Sequence, residues 1–176
     1  MARLPRLLLL GLAPLPLAAA TTLDPRPALL INSSASEPPG LYVASRRPAT
    51  RGERIAFRIP ESGRAYAARH MPERLRSSVL KTIIAAEGDQ VCADQGRLIV
   101  NGRDLGPIWP RDRQGRALPQ WRECRALHRD EFFVFSARIS NSFDSRYYGP
   151  VPARDVIGVY RPLRVSSGAS GGEGGA

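Results

Sequence analysis

Lysine is nearly missing from this 176-residue chain: Lys81 is the only one among 26 basic side chains, and the others are all arginine. A guanidinium does not lose its proton in a protein whereas an amine does, so chemistry that needs a neutral amine as base has one position open to it. A genome that prefers arginine codons also leaves a solitary lysine by chance, and the residue alone does not separate these readings. Histidine is almost as scarce. His70 and His128 are the only two; they lie in stretches without a nucleophile motif and read as surface or loop residues, which counts against a His-based triad. With only Cys92 and Cys124 beside them, no ligand cluster has the usual zinc spacing, so neither a metal nor another cofactor is expected. Aromatic residues make up 7% of the chain and are not interleaved with the arginines, which are scattered through it. The formal charge of +10 therefore does not read as a nucleic-acid surface. Attraction to an anionic membrane is its plainer use.

One long apolar run is present. It extends from Leu7 to Leu23 behind Arg3 and Arg6, near the lower limit for spanning a bilayer and longer than many secretory h-regions. Pro14, Pro16 and the "LAAA" segment weaken it as a helix and permit cleavage, so membrane anchor and signal peptide both stay open. In either case the arginines remain on the cytoplasmic side and everything after Thr22 is exported. The chain divides into an amino-terminal signal or anchor segment (1–29), one domain large enough for a core (30–165), and a Gly/Ser-rich tail (166–176) that cannot bury enough apolar surface to order itself. Two cysteines in an exported domain have a single possible pairing, and a Cys92–Cys124 bridge contributes roughly 3 to 4 kcal/mol in the chain-entropy model.

Between residues 40 and 160 the pattern is β. "LYVAS", "RIAFRI", "SVLKTII", "RLIV", "EFFVFSA" and "DVIGVY" are strand-length and rich in β-branched or aromatic residues. "LIVNGRDLG" places Asn101 and Gly102 where a tight hairpin needs positive φ at both central positions. "GRAYAARHMPERLR" forms a short helix or two turns, broken near Pro72.

Placing "SVLKTII" on a strand puts Val79, Lys81, Ile83 and Ala85 on one face and Leu80, Thr82 and Ile84 on the other. An amine between Val79 and Ile83 loses hydration, which favours its neutral form and moves it toward the range a general base requires. An edge lysine guarding against strand pairing fits the same pattern. A base needs a group to activate. "INSSASEPPGLY" supplies Ser33, Ser34 and Ser36 ahead of Pro38, Pro39 and Gly40, a backbone stiff enough to hold a hydroxyl in one geometry. The plain reading of that segment is a polar linker.

"INSSASEPPGLY", "RGERIAFRIP", "LKTIIAAEGDQV", "LIVNG" and "NSFDSRYYGPVPARDVIG" stand in the order of the sequence boxes of bacterial type I signal peptidases. The chain resembles that family, and within it the conjugative-transfer, TraF-type branch, over roughly residues 30 to 162. The resemblance implies a mainly β, signal-peptidase-type fold of antiparallel sheets forming a partial barrel, with a small inserted hairpin region and an amino-terminal membrane segment. It implies a Ser/Lys dyad, in which Ser36 matches the nucleophile and Lys81 the general base. Ser34 matches the hydroxyl that helps the Ser36 amide hold the oxyanion, Ser142 the hydroxyl that orients the amine, and Asp144 with Arg146 a supporting ion pair. Two departures stand out: Glu37 follows the nucleophile where methionine is usual, and the "RGD" box reads Arg51–Gly52–Glu53.

The implied function is a membrane-associated serine endopeptidase at the periplasmic face of the inner membrane. Its implied substrate is an exported precursor such as a conjugative pilin, and acyl transfer to the precursor's own amino terminus would give a cyclic product. Other proteins of a conjugation apparatus are the further partners implied. Two rivals remain, a general type I signal peptidase acting on many preproteins and a non-enzymatic envelope scaffold with a vestigial dyad.

Overall fold

Strand follows strand through most of the chain, and every pairing is antiparallel. The computed structural model describes residues 26–73, 76 and 78–163. The apolar run ending at Leu23 and the tail 166–176 lie outside the described residues. Among those described, the strands are β1 (Leu29–Asn32), β2 (Gly40–Ser45), β3 (Arg54–Phe57), β4 (Val79–Ala85), β5 (Gln90–Asp94), β6 (Arg97–Val100), β7 (Arg103–Pro107), β8 (Cys124–Ala126), β9 (Glu131–Val134), β10 (Val151–Pro152) and β11 (Val156–Pro162). Seven of them form a curled, half-barrel sheet in the order β1-β2-β11-β3-β4-β9-β10, and four form a smaller one in the order β7-β6-β5-β8. The inserted region is thus a four-stranded sheet of which the β6–β7 hairpin is one part. Its turn is the expected one, with φ of 49° at Asn101 and 78° at Gly102.

Helix α1 (Glu61–His70) stops where Pro72 forces Met71 into extended backbone, at φ −101° and ψ 146°. Gly63 lies inside it despite the helix cost of glycine. A Cβ there would sit 2.9 Å from Ile59 Cγ2 and 2.9 Å from Tyr148 Cβ, so glycine is what lets α1 close onto the short helix α2 (Ser145–Tyr148).

Ile55, Phe57, Ile83, Val134 and Val159 of the large sheet pack with Ala67 of α1 and Tyr148 of α2. On the other side of the curl, Tyr42, Ala56, Leu80 and Tyr160 form a smaller cluster. A third, including Val91, Leu98, Trp121, Phe133 and Tyr147, joins the small sheet to β9 and α2. Each large side chain taken fully from water contributes about 1.5–3 kcal/mol. Cys92 and Cys124 lie directly opposite each other in the β5–β8 pair and are joined by a disulfide.

The pairing of β4 positions the site. Along one edge it pairs with β3 from Val79 to Thr82. Along the other, β9 reaches it only from Ile83 onward, with a last bond from Phe135 N–H to Thr82 O at 3.2 Å. Among the described residues the backbone of Val79 to Lys81 is therefore open on that side, and β1, the terminal strand of the sheet, also has an unpaired edge.

Candidate active site

Both open edges border one cavity of about 280 Å³, whose lining includes Leu30, Ser34, Ser36, Lys81, Ile139 and Ser142. Lys81 and Ser36 meet there. The Lys81 Nζ donates a hydrogen bond to Ser36 Oγ across 45 residues of chain, and both side chains are buried, 3% and 1% exposed. Alternation along β4 explains the burial of the amine, because Lys81 shares its face with Ile83 and Ala85, both core residues.

Burial lowers the Lys81 amine to about 8 from its ordinary 10.5. Asp144 and Glu37 pull it up and Arg146 pushes it down, but removal from water is the largest effect. At pH 7 about one amine in ten is then neutral, against one in a few thousand for an ordinary lysine.

The turn that carries Ser36 is fixed from several directions. Asn32, the last residue of β1, reaches with Nδ2 to the carbonyls of Ser34, Glu37 and Pro38 at 3.0, 3.1 and 3.0 Å, while its Oδ1 accepts from Ser34 N–H at 3.1 Å. Ser136 donates to Ser36 O at 2.5 Å, and Arg138 Nε to Ala35 O at 3.3 Å. Ser34 Oγ lies 2.8 Å from Ser36 Oγ and accepts from Ser36 N–H at 3.4 Å. A polar linker needs none of this order.

Glu37 is buried rather than solvated. Its carboxylate accepts from Arg54 Nε at 2.8 Å and from Thr82 Oγ1 at 2.7 Å. Arg51, of the divergent "RGE" box, pairs with Asp89, and Glu53 pairs with Arg47 at 3.3 Å.

Asp144 and Arg146 form a fully buried pair. Arg146 Nε donates to Asp144 Oδ1 at 2.8 Å and Nη2 to Oδ2 at 2.9 Å, a two-pronged contact. The guanidinium also reaches the carbonyls of Pro107 and Ser142, both at 3.1 Å, and lies 4.8 Å from the centre of the Phe135 ring. Ser142 lines the same cavity as Lys81, yet its buried hydroxyl has no hydrogen-bond partner among the described residues, so the structure leaves it unattached to the amine.

The histidines differ from their sequence reading in one respect. His128 is exposed, but His70 is half-buried on the last turn of α1, its ring 4.9 Å from that of Tyr66. Neither lines the Ser36 cavity. Among the described residues no group of three His, Cys, Asp or Glu side chains is placed to hold a metal ion. Asn32, Ser136 and Arg138 were not singled out by the sequence. Asn32 alone carried a signal, since asparagine ahead of a serine-rich turn is a frequent organiser of local backbone.

A family model described as signal peptidase, peptidase S26, matches residues 7–163. The chain is 32% identical over 143 residues to the plasmid transfer protein TraF of Escherichia coli, covering 76% of this chain and 81% of that protein. It is 28% identical over 167 residues to the conjugal transfer protein TraF of Agrobacterium fabrum, covering 88% and 92%. Signal peptidase I of Leptolyngbya laminosa is 29% identical over 111 residues, which covers 63% of this chain and 50% of that one.

Proposed function

We propose that this chain, which belongs to the signal peptidase family S26, is a serine endopeptidase that cleaves exported precursors with Ser36 as nucleophile and Lys81 as general base. The observation that carries the reading is the buried contact between the only lysine of the chain and a serine hydroxyl from a rigid turn.

In the reaction, Ser36 Oγ attacks the substrate carbonyl carbon as its proton passes to neutral Lys81. The carbonyl oxygen takes the negative charge between Ser34 Oγ–H and the Ser36 N–H. Collapse breaks the C–N bond, the Lys81 ammonium returns its proton to the departing amine, and an ester to Ser36 remains. A second nucleophile then attacks the ester with Lys81 again taking the proton. Water gives hydrolysis, and the amino terminus of the same precursor gives a ring. Each donor at the oxyanion typically contributes about 10² to 10³ in rate. Asp144 and Arg146 act by holding the segment from Ser142 to Tyr148 against β4 and by setting the field at the amine.

The unpaired edges of β1 and of Val79–Lys81 suit a substrate that enters as an extended strand, its backbone satisfying theirs. Leu29 and Ile31 are 49% and 75% exposed on β1, directly after the apolar amino-terminal run. That placement supports a site at the periplasmic face of the inner membrane. The relatives named for plasmid and conjugal transfer support a precursor from a conjugative apparatus, such as a pilin.

The test is mass spectrometry of a candidate pilin precursor incubated with wild type, Ser36→Ala and Lys81→Arg. Cleavage by wild type alone is expected, and the product mass reports hydrolysis or ring closure. Equal processing by either variant overturns the dyad. Equal cleavage of an unrelated preprotein points to a general signal peptidase instead.

A further inference from the structure

Beside the Ser36–Lys81 cavity lies a second, of about 330 Å³, that none of the chemistry above uses. Its floor is a run of packed rings. Tyr66 lies 4.9 Å from His70 and 4.9 Å from Phe143 between ring centres, and Phe143 lies 5.7 Å from Tyr147. The opposite wall is the loop between Trp109 and Leu118, which carries Arg111, Arg113 and Arg116.

That loop is held in one shape by Asp112. The carboxylate accepts from the backbone N–H groups of Gln114 and Arg116, both at 2.9 Å, and from Arg116 Nε at 2.5 Å. Tyr66 donates its hydroxyl to the same carboxylate at 2.6 Å, which ties the loop to α1. Among the described residues Asp112 is the only acid lining the cavity, and these contacts consume its charge. Arg111 and Arg113 are both exposed and take part in no ion pair among the described residues, but Arg111 is tied to the Gly115 carbonyl at 2.7 Å whereas Arg113 has no hydrogen bond there. The cavity therefore combines an apolar floor with cations that have no acid partner on a pre-ordered wall, and Arg113 is the one not tied to the loop.

Its position supplies the occupant. Met71, Asn141 and Phe143 line both cavities, so a chain lying along Ser36 and Lys81 continues into the second without leaving the surface. We infer that this cavity is a remote substrate subsite that takes an apolar or aromatic residue of the precursor on the ring floor and a neighbouring carboxylate on Arg113. The inference rests on the peptidase reading above. A charged contact at a distance from the reacting bond also adds a selection between precursors that is independent of the residues at the cleavage point.

The probes are synthetic peptides that span the cleavage point of the candidate precursor and carry a Phe-Glu or a Phe-Gln pair moved one position at a time along both sides of it. Binding is measured on full-length Ser36→Ala protein, and cleavage on protein with Ser36 intact. At one placement Phe-Glu is expected to bind roughly three- to tenfold tighter than Phe-Gln, the effect of one charge-assisted contact at a partly exposed rim. Arg113→Gln should abolish the difference and Arg113→Lys should keep most of it. Arg129→Gln, an equal change of charge on an exposed residue that lines neither cavity, should leave it intact. In cleavage the preference should fall on KM and not on kcat. No preference at any placement, a preference that survives Arg113→Gln, or one lost equally in Arg129→Gln overturns the subsite. The expected binding pattern without cleavage by the Ser36 protein overturns the peptidase reading instead and leaves a peptide-binding cavity.

Discussion

Glu37 accepts a hydrogen bond of 2.7 Å from Thr82, and each of these two residues directly follows one member of the Ser36–Lys81 pair. The contact sets the register between the serine turn and β4 one residue away from the Ser36–Lys81 hydrogen bond. Arg54 holds the other carboxylate oxygen at 2.8 Å. A methionine at this position would fill space but make no such tie, so Glu37 is a second anchor between the Ser36 turn and β4.

Two variants separate the anchoring role of Glu37 from its charge. Thr82→Val keeps shape and charge and removes one donor. It is expected to lower kcat roughly three- to tenfold, about 1 kcal/mol of positioning, with the pH midpoint of activity unchanged. Glu37→Gln also removes a negative charge that favours the protonated amine. Its pH midpoint should therefore move down, since Lys81 loses its proton more readily. pH–rate profiles of the two variants check this, and identical midpoints would show that Glu37 does not act on the amine.

With the Lys81 amine at about 8, the reactive form accumulates as pH rises. The rate constant for acylation should climb about tenfold per pH unit at first and level off above pH ~8, with pH 7 activity roughly a tenth of the plateau. Lys81→Arg keeps the charge but cannot become neutral, and should be inactive at every pH. Single-turnover rates against pH make the measurement. A plateau already reached at pH ~6 contradicts the assignment.

The Asp144–Arg146 pair is fully buried, and breaking it from one side strands the other charge. Asp144→Asn or Arg146→Met is expected to destabilise by roughly 3–5 kcal/mol. The double variant should cost less than the sum, because no unpaired ion remains. Urea unfolding of both singles and the double gives the coupling. Additive losses would mean that the two side chains act separately.

What could be read without coordinates was what the local pattern encodes. Alternation in "SVLKTII" grouped Lys81 with Val79, Ile83 and Ala85 but left an edge lysine open, and burial in the structure decides for the core face; Asn101–Gly102 marked a hairpin whose turn geometry the structure bears out. Pro72 marked the end of α1. Other elements owe their shape to pairing, not to their own residues. β8 is three residues, "CRA", with no apolar alternation, and is a strand because Cys124 lies opposite Cys92. β7 contains Gly106 and Pro107 and is held by β6. The contact from Ser136 to Ser36 O spans 100 residues, and nothing near either serine announces it. His70 read as surface or loop because no nucleophile motif surrounds it; its place on the last turn of α1, beside the ring of Tyr66, is a tertiary contact that the local sequence does not encode.

Folding itself should register the state of Lys81. The amine has a folded value of about 8 and an ordinary value of 10.5. The unfolded chain therefore binds more protons between those two values, and stability rises with pH across that window. Below it the cost of burying an ammonium is fully present, about 3 kcal/mol at roughly 1.4 kcal/mol per tenfold change in acidity. Lys81→Met removes this cost at similar volume and forfeits one hydrogen bond, worth about 1 kcal/mol. The variant should be catalytically dead yet more stable than wild type by about 2 kcal/mol near neutral pH. Its advantage should shrink and then reverse as pH passes about 10.5, where the wild-type amine is neutral in both states. Tyrosines titrate alike in both proteins and cancel in the difference. Urea unfolding at neutral and alkaline pH provides the comparison. A variant less stable than wild type at neutral pH would mean that the amine is not held away from water, and the general-base role would lose its physical basis.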